Sequence, residues 1–239
     1  MPHLLLINPN TSADVTALLA RHAQALAPPG GRCDALTAPF GAAYIASEAA
    51  ADVAERAVPA AWEAYCANAN ANANASASAS ASGCAAPDAV LVACFGDPGV
   101  AALRALTSVP VLGLAEVAMR AAQAHGRYAI VTGGAAWGPM LRRLAASLGL
   151  DTLLAGVITV ERTGAELLAD PVAAQALLLD ACHQALALGD VRAIVIGGAA
   201  LADLAAPLAP LLPVPLIDNV RVGLRAAWSA AAGSAPQVA

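Results

Sequence analysis

The 239-residue sequence predicts an α/β protein built on parallel sheet. Three observations carry that expectation. Short apolar runs bounded by turn residues alternate with helical patterns, the order that a parallel sheet requires. The run at 89–93 stops abruptly at Cys94-Phe95-Gly96-Asp97-Pro98-Gly99, as a buried parallel strand does when it feeds a turn and then a helix. The chain also reads as two similar halves. In each, a first strand ends in a small polar turn, Asn8-Pro9-Asn10-Thr11 and then Thr132-Gly133-Gly134. In each, a later strand ends in a short turn before a helix, Cys94-Phe95-Gly96 and then Gly197-Gly198-Ala199. The length suits one large domain or two small ones, at about 100–200 residues per domain. Two lobes set face to face would gather the four turns around one cleft.

Taken in order, residues 3–7 form a strand, and a helix to about residue 26 follows with Thr11 or Ser12 as its cap. Pro28-Pro29-Gly30-Gly31 is a turn, 32–37 a second strand and 38–47 a loop. A long helix opens at Ser47-Glu48 and runs to about Tyr65. Residues 67–82 alternate Ala-Asn four times and then Ala-Ser four times. Such a composition buries too little surface to offset ordering entropy, so a disordered or weakly helical insertion without chemistry is expected. Its neighbours Cys66 and Cys84 are then incidental. Beyond the strand at 89–93, Asp97 as N-cap and Pro98 at the first helical position predict a helix over 98–106. Further strands are expected at 109–114, 128–132, 151–160, 191–196 and 214–217. Helices are expected at 115–125, 137–148, near 164, at 171–188, at 200–212 and at 218–231, the last capped by Asp218.

Composition narrows the function classes. All 12 basic residues are arginine, which excludes a lysine Schiff base and a P-loop lysine. The net charge of -5 argues against a nucleic-acid surface. The mean hydropathy of +0.65 raises the question of a membrane span. The most apolar stretch, 193–217, is broken by Gly197-Gly198, Asp203, Pro207, Pro210, Pro213 and Pro215, whereas a spanning helix needs roughly 20 apolar residues. The apolar N-terminal segment is too short for a signal peptide and has no basic region. A cytoplasmic protein that binds neither membrane nor nucleic acid is the expectation. The five cysteines (33, 66, 84, 94 and 182) include no CxxC pair, and no His, Asp or Glu spacing suggests a metal site.

Cys94 is placed at the carboxyl end of a strand, the edge at which open α/β sheets bind ligands. A helix start just beyond it would favour the thiolate, and a plain buried core cysteine is the competing reading. Asn8, Asn10, Thr11 and Ser12 offer amides, hydroxyls and backbone N–H groups at a helix start, either as an anion site or as ordinary capping. Thr132 and Gly133 are placed equivalently in the second half. Ser47 would either reach the cleft or cap its helix. Glu116 would be either an acid/base group or a first-turn dipole partner. His3, His22, His125 and His183 fall before strands or in mid-helix and make poor bases.

Several pieces run in a familiar order over nearly the whole chain: Ile7-Asn8-Pro9-Asn10-Thr11-Ser12, Ala93-Cys94-Phe95-Gly96-Asp97-Pro98-Gly99, Gly113-Leu114-Ala115-Glu116, Val131-Thr132 and Pro213-Val214-Pro215-Leu216-Ile217-Asp218. In them the sequence resembles the aspartate/glutamate/hydantoin racemase superfamily, and most closely its hydantoin and allantoin racemase branch. The resemblance implies two pseudo-symmetric α/β lobes, each a parallel sheet flanked by helices, with the active site in the cleft between them. The lobes would be residues 1–112 completed by 217–239, and residues 113–216. It implies cofactor-free chemistry with cysteines on opposite faces of a small carboxylate or cyclic amide. Inverting a carbon next to a carbonyl needs a proton removed from one face and one delivered to the other, and thiol and thiolate exchange those roles. Strand-end N–H groups would steady the enolate. By the same resemblance Cys94 is catalytic, and Asn8, Asn10, Thr11, Ser47, Phe95, Gly96, Thr132, Gly133, Gly198 and Ala199 bind substrate.

The sequence departs from the family at one telling place. The family's second cysteine lies in a Gly-Cys-Ala-Gly stretch, and here that stretch is Gly197-Gly198-Ala199-Ala200. Glycine carries no proton, and Cys182 falls in mid-helix well before it. Three readings follow: a racemase-like enzyme using Cys94 with another group, Glu116 first, or water; a one-cysteine decarboxylase or cis–trans isomerase; or a protein that only binds its ligand. Either a monomer or a homo-oligomer suits all three.

Overall fold

The strands at the centre of this protein are apolar on both faces, and both faces are buried. His3–Asn8 (β1), Ala89–Val92 (β3), Tyr128–Gly133 (β5) and Ala193–Gly197 (β7) carry no exposed residue. Such strands pair in parallel under helices on each side. The computed structural model describes residues 1–75 and 86–234. The remaining strands are Arg32–Thr37 (β2), Val111–Gly113 (β4), Leu154–Val160 (β6) and Leu216–Asp218 (β8). They form two four-stranded parallel sheets, β2-β1-β3-β4 and β6-β5-β7-β8. The strand order is the same in both, so the second sheet repeats the first and the two polar turns of each half end at equivalent places.

The helices are Ala13–Ala25 (α1), Glu48–Ala75 (α2), Val100–Leu106 (α3), Leu114–Gln123 (α4), Trp137–Ser147 (α5), Gly164–Ala169 (α6), Pro171–Leu186 (α7), Ala205–Leu208 (α8) and Asn219–Ala231 (α9). Two of them exchange lobes. Helix α4 leaves β4 of the first sheet yet packs on β7 and β8 of the second. Helix α9 leaves β8 of the second sheet yet packs on β1, β3 and β4 of the first. They lie against one another and join the two cores. Among the described residues no helix is long and apolar enough to cross a membrane.

Three expectations change. The helix after Cys94 starts at Val100, not Pro98, and its N-cap is Gly99 in the left-handed region, with φ 77°. The chain first curls back on itself, because the N–H groups of Gly96 and Asp97 both donate to the Cys94 carbonyl, at 3.0 and 3.1 Å. Asp97 therefore caps a different helix: its carboxylate accepts the N–H groups of Ala115 (2.8 Å) and Glu116 (2.7 Å) at the start of α4. Second, α2 runs on to Ala75, so all four Ala-Asn repeats are helical, as alanine favours. Residues 76–82, the rest of the expected insertion, and Cys84 lie outside the described residues. Third, the helix expected over 200–212 is a 3₁₀ turn at Ala199–Leu201, the short α8, and a second 3₁₀ turn at Ala209–Leu211. Pro207 and Pro210 remove the N–H donors a continuous helix would need.

Candidate active site

The carboxyl ends of β1 and β3 face those of β5 and β7 across a cleft. Cys94 and Phe95 line it from the first lobe, together with Asn10 from the turn after β1. Thr132, Gly133, Gly198 and Ala199 line it from the second. The aromatic rings of the two lobes interlock beneath it. A Cβ on Gly197 would collide with the Phe95 ring, and a Cβ on Gly96 would collide with the Trp137 ring. Glycine at both places lets each ring rest on the opposite backbone. The enclosed space is about 40 Å³, enough for about two or three waters.

Asn10 is built to offer a donor. Its Oδ1 accepts from Asn8 Nδ2 (2.9 Å) and from the Ser12 N–H (2.9 Å). Both bonds fall on the oxygen, so the Asn10 amide donor is left to the cleft. Asn8 itself is fully buried and does not reach the cleft; its Nδ2 also lies 2.9 Å from Thr16 Oγ1 and 3.1 Å from the Ser12 carbonyl, holding the turn in shape. Thr11 is outside the cleft lining and ties the turn to the next loop through its N–H on the Ala42 carbonyl, 3.0 Å. Thr132 spends its hydroxyl proton on the Gly197 carbonyl at 2.8 Å, which locks β5 to β7.

Three further candidates lie elsewhere. Ser47 is exposed, and its hydroxyl accepts the Ala50 N–H at the start of α2, 3.2 Å away. Gly96 lies behind the cleft, against Trp137. Glu116 lines a separate surface groove and is held by Arg104 and Arg120, each at 2.9 Å. Burial opposes its charge, but the two guanidinium groups outweigh burial and keep the carboxyl below the usual range. It sits in the first turn of α4, beside β4 and α9, where Arg104 of α3 reaches it. Cys182 is fully buried in the core under β5 and β7.

The electrostatics of Cys94 depart from expectation. Burial pushes its thiol up to about 12, with the neighbouring Asp97 adding to the rise. The expected helix start does not offset this, because α3 begins only at Val100. Cys94 therefore rests as a neutral thiol. Asp97 is pushed up to about 7 by burial, against the pull of its two backbone donors.

Two cleft residues carried no signal in the sequence. Tyr44 comes from the loop before α2, and Trp137 opens α5. The Tyr44 oxygen accepts the Gly164 N–H at 2.9 Å, linking a first-lobe loop to the start of α6.

The Asp/Glu/Hydantoin racemase family model matches residues 4–227. The chain belongs to this racemase family. It is 32% identical over 139 residues to the hydantoin racemase of Pseudomonas sp. (strain NS671), a match covering 58% of this chain and 56% of that protein. The chain thus spans little more than half the length of that relative. The allantoin racemase of Pseudomonas fluorescens shares 28% identity at a TM-score of 0.82, covering 98% of this chain and 93% of that one. The allantoin racemase of Klebsiella pneumoniae shares 29% identity at a TM-score of 0.78, covering 99% and 91%. Within this racemase fold Gly198 has φ 133°, a conformation that side chains rarely adopt, and a Cβ there would lie 3.2 Å from Leu201. The backbone at this point is shaped for glycine.

Proposed function

We propose that this racemase-family protein performs α-proton chemistry on a cyclic amide or carboxylate, with substituted hydantoins and allantoin as the first candidates and Cys94 as the group that meets the reacting carbon. The carrying observation is the Cys94 thiol, buried in the cleft and facing the strand-end turns of β5 and β7. In this reading the Asn10 amide donates to the substrate carbonyl, whose oxygen gains charge as the α-proton leaves. The Cys94 thiolate takes that proton. Burial makes the thiolate scarce but also more basic, which narrows the gap to a weakly acidic carbon. Side chains and water suffice for the step.

A second reading is favoured by one observation: the resting thiol is protonated and Gly198 offers nothing opposite it. A single thiol can protonate one face of an enolate formed by loss of CO₂. Incubation of each enantiomer with wild type and Cys94→Ser in D₂O tests the first reading. α-Deuterium should appear with wild type and fall by at least about a hundredfold in the variant. Exchange that is unchanged in Cys94→Ser would remove Cys94 from the chemistry. CO₂ release from a malonate without α-exchange would favour the second reading.

A further inference from the structure

We propose that the Tyr44 hydroxyl is the second proton-transfer group of this cleft, working from the wall of the second lobe where Gly198 has no side chain. The proposal rests on the α-proton reading above. Tyr44 and Cys94 line the same cleft, and a charge on the thiol opposes ionisation of the phenol across it. The phenol starts from a first-lobe loop but its oxygen rests on the second lobe. It accepts the Gly164 N–H at 2.9 Å, and a Cβ on Gly134 would lie 4.0 Å from it. The Trp137 Nε1 lies at the same 4.0 Å from that point, and the indole favours the charged phenol.

The geometry of that oxygen is informative. A phenol has one proton and two lone pairs. Gly164 supplies a donor to one lone pair, and no described residue accepts the proton. The O–H is left to the cleft. The Gly164 N–H would hold the phenolate once the proton has gone, with the neighbouring Trp137 indole also favouring the charge. The other cleft hydroxyl, on Thr132, is bound to the Gly197 carbonyl, and Glu116 and Cys182 lie elsewhere. Burial raises the phenol above its ordinary value, the Gly164 N–H and the neighbouring Trp137 indole partly offsetting it, so Tyr44 holds its proton at neutral pH.

The step balances with one negative charge shared across the cleft. The Cys94 thiolate takes the α-proton, and the C–H electron pair passes to the carbonyl oxygen as an enolate. The enolate carbon then forms a new C–H bond on its other face with the Tyr44 proton, and the O–H pair stays on the phenolate. The site now holds a Cys94 thiol and a Tyr44 phenolate, the starting form for the opposite enantiomer. Exchange with water restores the first form.

Tyr44→Phe keeps the ring and removes the proton. With substituted hydantoins in D₂O, chiral separation with mass detection should show wild type inverting configuration. Tyr44→Phe should still exchange one enantiomer with retention, while inversion falls by at least about a hundredfold. Unchanged inversion in Tyr44→Phe overturns the proposal. So does equal loss of exchange and inversion, which would mark a structural role, and so does a wild type that exchanges without inverting. A wild type that exchanges no compound tells against the α-proton reading itself, and the proposal is then decided without turnover. Ultraviolet difference titration of wild type against Tyr44→Phe isolates the Tyr44 phenol. Its midpoint should fall when Cys94→Ser removes the facing thiol. A midpoint that does not move would mean the two groups do not share a cleft charge, and the proposal fails.

Discussion

At Cys94 two influences oppose each other. A strand end in a parallel sheet exposes a side chain to ligand, while the second lobe closes over it and removes water. Burial wins, and the thiol is pushed up to about 12. An ordinary cysteine near 8.5 is alkylated at a rate that levels off by about pH 9.5, since only the thiolate reacts. Cys94 should instead be alkylated slowly at neutral pH, with the rate still climbing about tenfold per unit at about pH 10. Mass-spectrometric quantification of iodoacetamide adducts in the folded protein checks this. A plateau near about pH 9 would mean that the cleft stabilises the thiolate.

The element most dependent on a distant residue is α4. Its N-cap position is Gly113, which has no side chain to cap with, so Asp97 does so from a turn that precedes a different helix. A Cβ on Gly113 would collide with that carboxylate, so the glycine is what admits it. The Asp97 pKa is raised from 3.8 to about 7 because burial disfavours its charge. The folded protein thus holds this proton more tightly than the unfolded chain. The resulting stabilisation is complete below about pH 4 and is lost as pH rises to about 7. Asp97→Asn cannot bind the proton and keeps one acceptor, so it should cost about 1 kcal/mol as a weakened cap. The advantage of wild type over Asp97→Asn in unfolding free energy should therefore shrink as pH rises from about 4 and reverse by about pH 7, measured by urea titration at each pH. An advantage that grows with pH would mean the helix start, not burial, governs the carboxyl.

On the scale of the whole molecule the lobes are held by rings more than by charges. Arg143 reaches Glu48 at 2.6 Å and His22 reaches Asp203 at 3.1 Å across the lobes, but Arg143, Glu48 and Asp203 are exposed and His22 is only half-buried. Exposed pairs contribute about 0–1 kcal/mol. Phe95 and Trp137 are buried against opposite backbones, and aromatic burial is the larger effect. Gly197→Ala should displace the Phe95 ring, lower stability by about 1–3 kcal/mol and part the lobes. Thermal melting and small-angle scattering check it: the melting temperature should fall and the radius of gyration rise. Adding Phe95→Leu should reverse part of both changes. Unchanged melting and radius would mean that the ring shifts without cost.

The sequence alone was sufficient for whatever depends on neighbours along the chain. Apolar runs ending in turns marked the strands, and their ends marked Cys94, Asn10, Thr132 and Gly198, because every parallel strand delivers its carboxyl end to the same edge. The family resemblance in those same turns was legible for the same reason. Tyr44 was hidden because a tyrosine in a loop acquires its partners only when the loop meets Gly164 of the other lobe. Glu116 stayed between two roles because being on the right edge does not say which face of α4 looks at the cleft. Packing places it beside β4 and α9, held by Arg104 and Arg120. The protonation of Cys94 was not legible because a pKa follows the surrounding dielectric, which only burial in the folded chain supplies. Local sequence could determine where the strands end, but only the packing of one lobe on the other decided what surrounds those ends, since desolvation and hydrogen bonding act through space.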